Sequence, residues 1–327
     1  MSISKLHCDE IYMPCRPSRL QAAREKAWGA LPIFDFNKPM EKKELKPLIP
    51  PRKSIGKHPL NYRKDYVDER DYKFSSNFSN LNESISTLPE RVDHTPDMTP
   101  VKDQGMLGSC VAFAVSAMKE FQEKKEHEEE MAKGKPGRKK IYDYSESWLY
   151  WNAKKIDAWP GEEGTSIRYA MKVLQRIGVP TEKGWPYKDV GDVGEPESWA
   201  KLVARWALID SYWRIHNLEE LKLALIDGPV PIGIPCFREV FFVGDDGYLA
   251  YPEHPDEIFG GHAICAVGYN DRNDLVKFKN SWGPTWGANG YGYLPYLYVD
   301  DFLWDAWTSK DVSVTKDMLK GTRELIG

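Results

Sequence analysis

Gln104-Gly105-Met106-Leu107-Gly108-Ser109-Cys110-Val111-Ala112-Phe113 is the stretch on which the reading of this chain turns. Glycines and a serine precede a run whose apolar positions, Val111, Ala114, Val115, Met118 and Phe121, recur at helical spacing. Ser109 suits the N-cap of that helix, so Cys110 falls in its first turn. The position matters chemically. Unpaired N–H groups and the positive end of the helix dipole favour thiolate over thiol there. A thiolate is the better nucleophile at neutral pH, more so beside an imidazolium. The N–H of Cys110 and the amide of Gln104 are two donors able to face an oxyanion.

Two later segments supply the partners such a nucleophile needs. Gly261-His262-Ala263-Ile264-Cys265-Ala266-Val267-Gly268-Tyr269 sets a histidine at the head of an apolar, strand-like run. Asn280-Ser281-Trp282-Gly283-Pro284-Thr285-Trp286-Gly287 follows a second strand candidate. A lone histidine in an apolar run is usually a hydrogen-bonded core residue. His262 differs from the six other histidines in having these neighbours in this order.

Together the three segments resemble the cysteine, histidine and asparagine motifs of the papain-like cysteine peptidases. The gaps of 152 residues from Cys110 to His262 and 18 from His262 to Asn280 are close to those of that family. The lead-in Leu88-Pro89-Glu90-Arg91-Val92-Asp93 resembles the start of its mature enzymes, and the resemblance covers about residues 88–308. It implies an α+β, two-lobed papain-like fold, with a helical lobe, an antiparallel barrel-like lobe and the active-site cleft between them. It implies a nucleophilic Cys110, an ion-paired His262 that protonates the leaving amine, an orienting Asn280 and an oxyanion-binding Gln104. By the same resemblance Trp282 covers the His–Asn hydrogen bond, Trp286 borders the leaving-group side, and Gly164 pairs with an extended substrate. Gly261 stands beside the histidine where many members carry an acid, so the pH profile is expected to differ. Leu107 and Val111 replace the family's usual Cys and Trp. The first loss removes one end of a structural disulfide. With the element Arg70-Asp71-Tyr72, it resembles a prokaryotic-type subset of the family.

The elements around these motifs fit that architecture. Further helices are predicted from near Ser145, over Ile167–Leu174 with Gly178 and Pro180 ending it, and over Leu218–Ile226 before Gly228 and Pro229. Strands are predicted at Leu202–Asp210, Val230–Pro235, Val240–Val243, Ala263–Tyr269 and Leu275–Asn280. The division expected is an N-terminal extension at 1–87, a helical lobe at 88–200, a β-rich lobe at 201–308 and a tail at 309–327. The charged tract 126–140 reads as a solvated loop.

Composition narrows the class. Net charge is −4 in 327 residues, which gives no global basic field for nucleic acid, and no stretch is long and apolar enough to span a membrane. The start lacks the apolar core of a secretory signal, so a cytoplasmic, reducing setting is expected, leaderless export aside. Five cysteines without a CxxC pair argue against a disulfide framework or a structural zinc. Cys8 and Cys15 leave two readings, a pair or metal site against two free thiols. No metal or cofactor is expected, and nothing suggests an oligomer, so the reading is a monomer acting on peptide or protein substrates.

Residues 1–87 carry 16 Lys/Arg against 11 Asp/Glu, with a short helix predicted near 17–30 and a proline-rich basic stretch after it. Such an arm could lie along the cleft of an acidic body and hold a zymogen inactive, or be a passive extension. Three functional readings follow. The first is a cysteine endopeptidase working through a thioester. The second is another acyl transfer on the same fold, such as aminopeptidase trimming, deamidation or ligation. The third is a retired binding protein, disfavoured because every residue with a chemical role is present.

Overall fold

β4 (Gly260–Asn270) is the strand around which the molecule is organised, because both of its faces are buried. The computed structural model describes residues 58–134 and 142–311, all within one unit spanning Phe36–Gly327. Along β4, side chains alternate between two cores. Ala263, Cys265 and Val267 join a cluster built on helices, while Ile264 and Ala266 join a second cluster on the other side of the sheet. A strand covered on both faces has no polar side to show. That is why this segment reads in sequence as an unbroken apolar run.

Among the described residues the chain orders as α1 (Leu81–Ser86), β1 (Arg91–Asp93), α2 (Cys110–Ala132), α3 (Glu146–Lys154), α4 (Ile167–Arg176), α5 (Ala200–Ala204), β2 (Ile209–Ile215), α6 (Leu218–Asp227), β3 (Val230–Cys236), β4, β5 (Leu275–Lys279), β6 (Tyr291–Pro295), α7 (Tyr296–Phe302) and β7 (Asp305–Asp311). The sheet runs β2-β7-β3-β4-β5-β6, with β1 pairing β4 as well, and every pairing is antiparallel. This is the α+β arrangement expected.

The helical side forms because α2, α3 and α4 each hold an apolar stripe. On α4, Ile167, Ala170, Met171 and Leu174 recur at helical spacing and are all buried. They pack with Val111, Val115 and Met118 of α2, and sealing a side chain such as Met118 contributes about 2 kcal/mol. The chain crosses between the two sides rather than dividing cleanly. β1 leaves the helical half to pair with β4, and Trp307 of β7 packs in the helical core.

Some sequence expectations are corrected. Leu202–Asp210 is not a strand: α5 ends at Ala204 and β2 starts only at Ile209. Val240–Val243 falls largely in a 3-10 turn over Arg238–Phe242. The charged tract after residue 125 begins as helix, since α2 runs to Ala132. The expected tail at 309 starts inside β7. The helix near 17–30, the stretch before residue 58, Cys8, Cys15 and residues 312–327 lie outside the described residues.

Candidate active site

Three elements bring the expected residues together. Cys110 is the first residue of α2 and is fully buried. His262 sits near the start of β4, opposite Ile234 of β3. Asn280 follows β5, and the β4–β5 register, with Cys265 opposite Lys279, returns it alongside His262. Asn280 Oδ1 lies 2.8 Å from His262 Nε2 and also accepts the Ser281 N–H at 2.8 Å. With that oxygen held as an acceptor, His262 Nε2 carries the proton. His262 Nδ1 is buried with no hydrogen-bond partner, so a basic lone pair remains inside the site.

Ser109 takes the N-cap position of α2 as expected, but its side chain makes no capping bond. Its hydroxyl turns away, 2.6 Å from the Tyr187 hydroxyl, and makes no bond to the helix N-terminus. The first amides of α2 therefore stay available. Those of Cys110 and Val111, with the N–H of Ala263, face the Cys110 sulfur and favour its anion. Burial outweighs them and pushes the thiol up to about 11. Burial likewise pushes His262 down to about 4, against the bond from Asn280 and aided by nearby His58. Burial thus works against charge on either group in this arrangement.

Gln104 is fixed from two sides. Its N–H donates to Ser281 O at 2.8 Å, and Ser281 Oγ donates to Gln104 Oε1 at 2.6 Å. The side-chain nitrogen then points along the loop and donates one hydrogen to Leu107 O at 3.0 Å. Tyr187 donates to Gln104 O at 2.7 Å. Trp282 lies over His262, with ring centroids 4.5 Å apart and planes 27° from parallel, and Trp286 meets Trp282 edge-on at 5.4 Å.

The chain's own segment 58–65 lies against the loop that leads into Cys110, where a Cβ on Gly108 would stand 3.0 Å from Asn61 Cβ. His58 stacks on Trp282 at 5.4 Å, and its Nε2 lies 2.7 Å from Asp103 Oδ1. Gly261 donates to Leu60 O at 3.0 Å and accepts from Tyr62 N at 2.9 Å. Asn61 passes so close to Gly164 that a Cβ there would stand 1.7 Å from the Asn61 carbonyl oxygen. Gly164 also has φ +80°, which a side chain would strain, so the position needs glycine twice over. Arg63 N donates to Thr165 O at 3.0 Å, and its guanidinium reaches Glu162 at 2.6 Å. The Tyr62 ring packs over Gly233, where a Cβ would come within 2.1 Å of it, and the Tyr62 hydroxyl donates to Asp305. Asp305 is buried and pushed up to about 7 by that burial and by Asp65.

Gly164 and Gly261 thus lie against the segment, Trp282 over His262 and Trp286 against Trp282, while His58, Tyr62, Ser281, Tyr187 and Asp305 were not anticipated. Tyr62 and Asp305 are 243 positions apart, so no local pattern marks them. Cys110, Cys236 and Cys265 are all free thiols. Among the described residues, Glu123, Glu126 and Asp311 have the spacing of metal ligands, but Lys119 Nζ already pairs with Glu123 at 2.9 Å and with Asp311 at 2.5 Å. They sit about 20 Å along α2 from Cys110.

Residues 88–296 match the papain family cysteine protease profile. An uncharacterised peptidase C1-like protein of Acanthamoeba polyphaga mimivirus is 31% identical over 246 residues, 70% of this chain and 73% of the relative. Cysteine proteinase 3 of Entamoeba histolytica is 28% identical over 229 residues, 68% of each chain. Among solved structures, xylellain, a cysteine protease from Xylella fastidiosa, superposes with a TM-score of 0.66 at 29% identity, covering 78% of this chain and 97% of that one.

Proposed function

Because the chain belongs to the papain family of cysteine proteases, a papain-like peptide-bond hydrolase, we propose that it is an endopeptidase using Cys110, His262, Asn280 and Gln104, held inactive by its own residues 58–65. The observation that carries this reading is the path of that segment. It runs without interruption from Trp282, across Gly261 and the Gly108 that leads into Cys110, to Thr165. A cleft that holds polypeptide on both sides of the thiol suits internal bonds rather than chain ends.

In the open enzyme the chemistry follows from the site. Water returning to the cleft removes the burial that keeps Cys110 and His262 neutral. The proton then moves from Sγ to His262 Nδ1, and the helix N-terminus stabilises the thiolate. The sulfur attacks the scissile carbonyl, whose oxygen becomes an anion between the Cys110 N–H and the Gln104 amide. The C–N bond breaks as His262 hands its proton to the departing amine, leaving a thioester. Water, deprotonated by His262, attacks that thioester and releases the carboxylic acid and the thiol. Asn280 holds the imidazole in the tautomer and plane that each transfer needs, and Trp282 keeps water from their hydrogen bond.

The covering segment runs against the direction a substrate must take. His262 protonates the leaving amine, so the C-terminal half of a substrate lies on the Trp282 side and its acyl half on the Gly164 side. The segment has its earlier residue, His58, on the Trp282 side and its later residue, Arg63, on the Thr165 side. Its bonds are therefore presented backwards to the sulfur, which supports a cover that is not itself cut.

The test is labelling of Cys110 by a peptidyl epoxide in full-length protein, read by mass spectrometry, with Cys110→Ala as control. Tyr62→Ala, which empties the Gly233 pocket, is expected to speed labelling at least tenfold and to permit cuts within a long peptide. Labelling of Cys110 no faster than Cys236 in both proteins would sink the nucleophile assignment. Equal, rapid labelling of Cys110 in both would sink the cover.

A further inference from the structure

Arg168 of α4 and Arg214 of β2 lie together on the indole of Trp307, with guanidinium carbons 5.1 and 4.8 Å from the ring. Both are buried. Among the described residues, every ion pair either one makes is to Asp65 or Asp71, which continue the covering segment. Asp65 accepts from Ser166 Oγ and from Trp307 Nε1 at 3.1 Å, with Arg168 Nε 3.5 Å and an Arg214 nitrogen 3.7 Å away. Asp71 takes two nitrogens of Arg168, one of them at 2.6 Å, and lies 3.3 Å from Arg214 Nε. The cations and donors belong to the enzyme body, and both carboxylates belong to the segment.

When the segment leaves, two guanidiniums, a hydroxyl and an indole N–H remain, aimed at places that carboxylates occupied. Buried cations without partners are costly, and planar guanidiniums fit carboxylates through paired N–H bonds. One acid of the body stands near: Asp305 accepts the Asp65 N–H at 3.1 Å. Set against Arg168 and Arg214 it leaves a positive excess. The location is fixed by Thr165, which receives the Arg63 N–H just before Ser166. This continues the cleft on the side that holds the acyl half of a substrate.

We propose that, in the uncovered enzyme, Arg168, Arg214, Ser166 and the Trp307 N–H form a carboxylate-binding subsite that takes an acidic side chain from the N-terminal part of a peptide substrate. The inference rests on the reading that residues 58–65 vacate the cleft, and requires that Asp71, six residues on, leave with them. Asp65 and Asp71 occupy this subsite in cis as an acidic peptide would in trans.

The experiment uses the full-length chain carrying Tyr62→Ala to open the cover, with Asp65→Asn and Asp71→Asn to remove the native occupants. Two fluorescence-quenched peptides, identical except for three glutamates or three glutamines four to six residues before the cut bond, are compared by kcat/KM. The glutamate peptide is expected to be favoured about tenfold, mostly through KM, as charge-assisted hydrogen bonds of this kind allow. In Arg168→Gln, and separately in Arg214→Gln, both on the same background, that ratio is expected to fall toward one. The peptide comparison needs no body variant, so misfolding of either would leave it standing. Both peptides cut at equal rates would overturn the acidic preference alone. Cys110 labelled rapidly and equally in this protein and in wild type would overturn the covering reading and this inference with it, whereas neither peptide cut while Cys110 labels faster than in wild type would overturn this inference alone.

Discussion

Gln104 and Ser281 hold each other by two hydrogen bonds, backbone N–H to carbonyl at 2.8 Å and hydroxyl to side-chain oxygen at 2.6 Å. The second fixes which end of the Gln104 amide faces the loop at Leu107. In the proposed mechanism, the residue adjoining Asn280 therefore also sets the oxyanion donor.

Removing that hydroxyl leaves Gln104 in place but free to turn. In a Tyr62→Ala background, Ser281→Ala is expected to lower kcat about tenfold with little change in KM. Gln104→Ala should lower it about 10²- to 10³-fold, the usual cost of losing an oxyanion donor. A fall in KM-dependent terms alone for Ser281→Ala would assign the hydroxyl to substrate binding instead.

Tyr62→Phe keeps the ring over Gly233 and deletes only the bond to Asp305. A hydrogen bond to a carboxyl group contributes about 1.5–3 kcal/mol. Epoxide labelling of Cys110 should accelerate roughly 10- to 100-fold if the uncovered fraction limits the rate. An unchanged rate would mean that the hydroxyl does not help hold the segment.

His262 predicts a pH dependence whose sign can be worked out. Its folded pKa, about 4, lies below the ordinary histidine value, so between pH 4 and 6.5 the unfolded chain binds the extra proton. Stability is then lost as pH falls through that window, by about 3 kcal/mol for this group. His262→Gln should show a shallower fall in Tm from pH 7 to 4 than wild type. Parallel Tm curves for the two proteins would refute it.

Gly164→Ala sets a methyl group where the Asn61 carbonyl oxygen lies and strains φ +80°. A lowered Tm is expected, with a cost of about 1–2 kcal/mol from the backbone alone. Cys110 should also label faster, since the segment can no longer lie down. A lowered Tm with slower labelling would place the strain elsewhere.

The site was legible because chemistry restricts residue type at the three points where elements converge: the head of α2, the start of β4 and the residue after β5. β4 was legible because burial on both faces leaves a run with no polar interruption. Leu202–Asp210 misled because a single-turn helix followed by a strand start shows the same scattered apolar positions as one strand. Ser109 stands at the N-cap that the sequence marked, but its hydroxyl found Tyr187, 78 positions on, and left the helix end alone. The covering residues were illegible for the same reason. Asp71 meets Arg168 across 97 positions and Tyr62 meets Asp305 across 243, and only the folded sheet brings them together.

If residues 58–63 cover the site as proposed, their course has a kinetic corollary. A molecule whose own thiol faces its covering segment the wrong way round cannot make the first cut in that segment for itself. If activity arises by cutting, the cut is made by one molecule on another. The onset of activity then shows a lag that shortens as protein concentration rises, and a trace of active enzyme abolishes it. If the segment simply lifts, onset is first order and dilution leaves its half-time unchanged. The order of this time course thus reports whether the cover is discarded or merely opened.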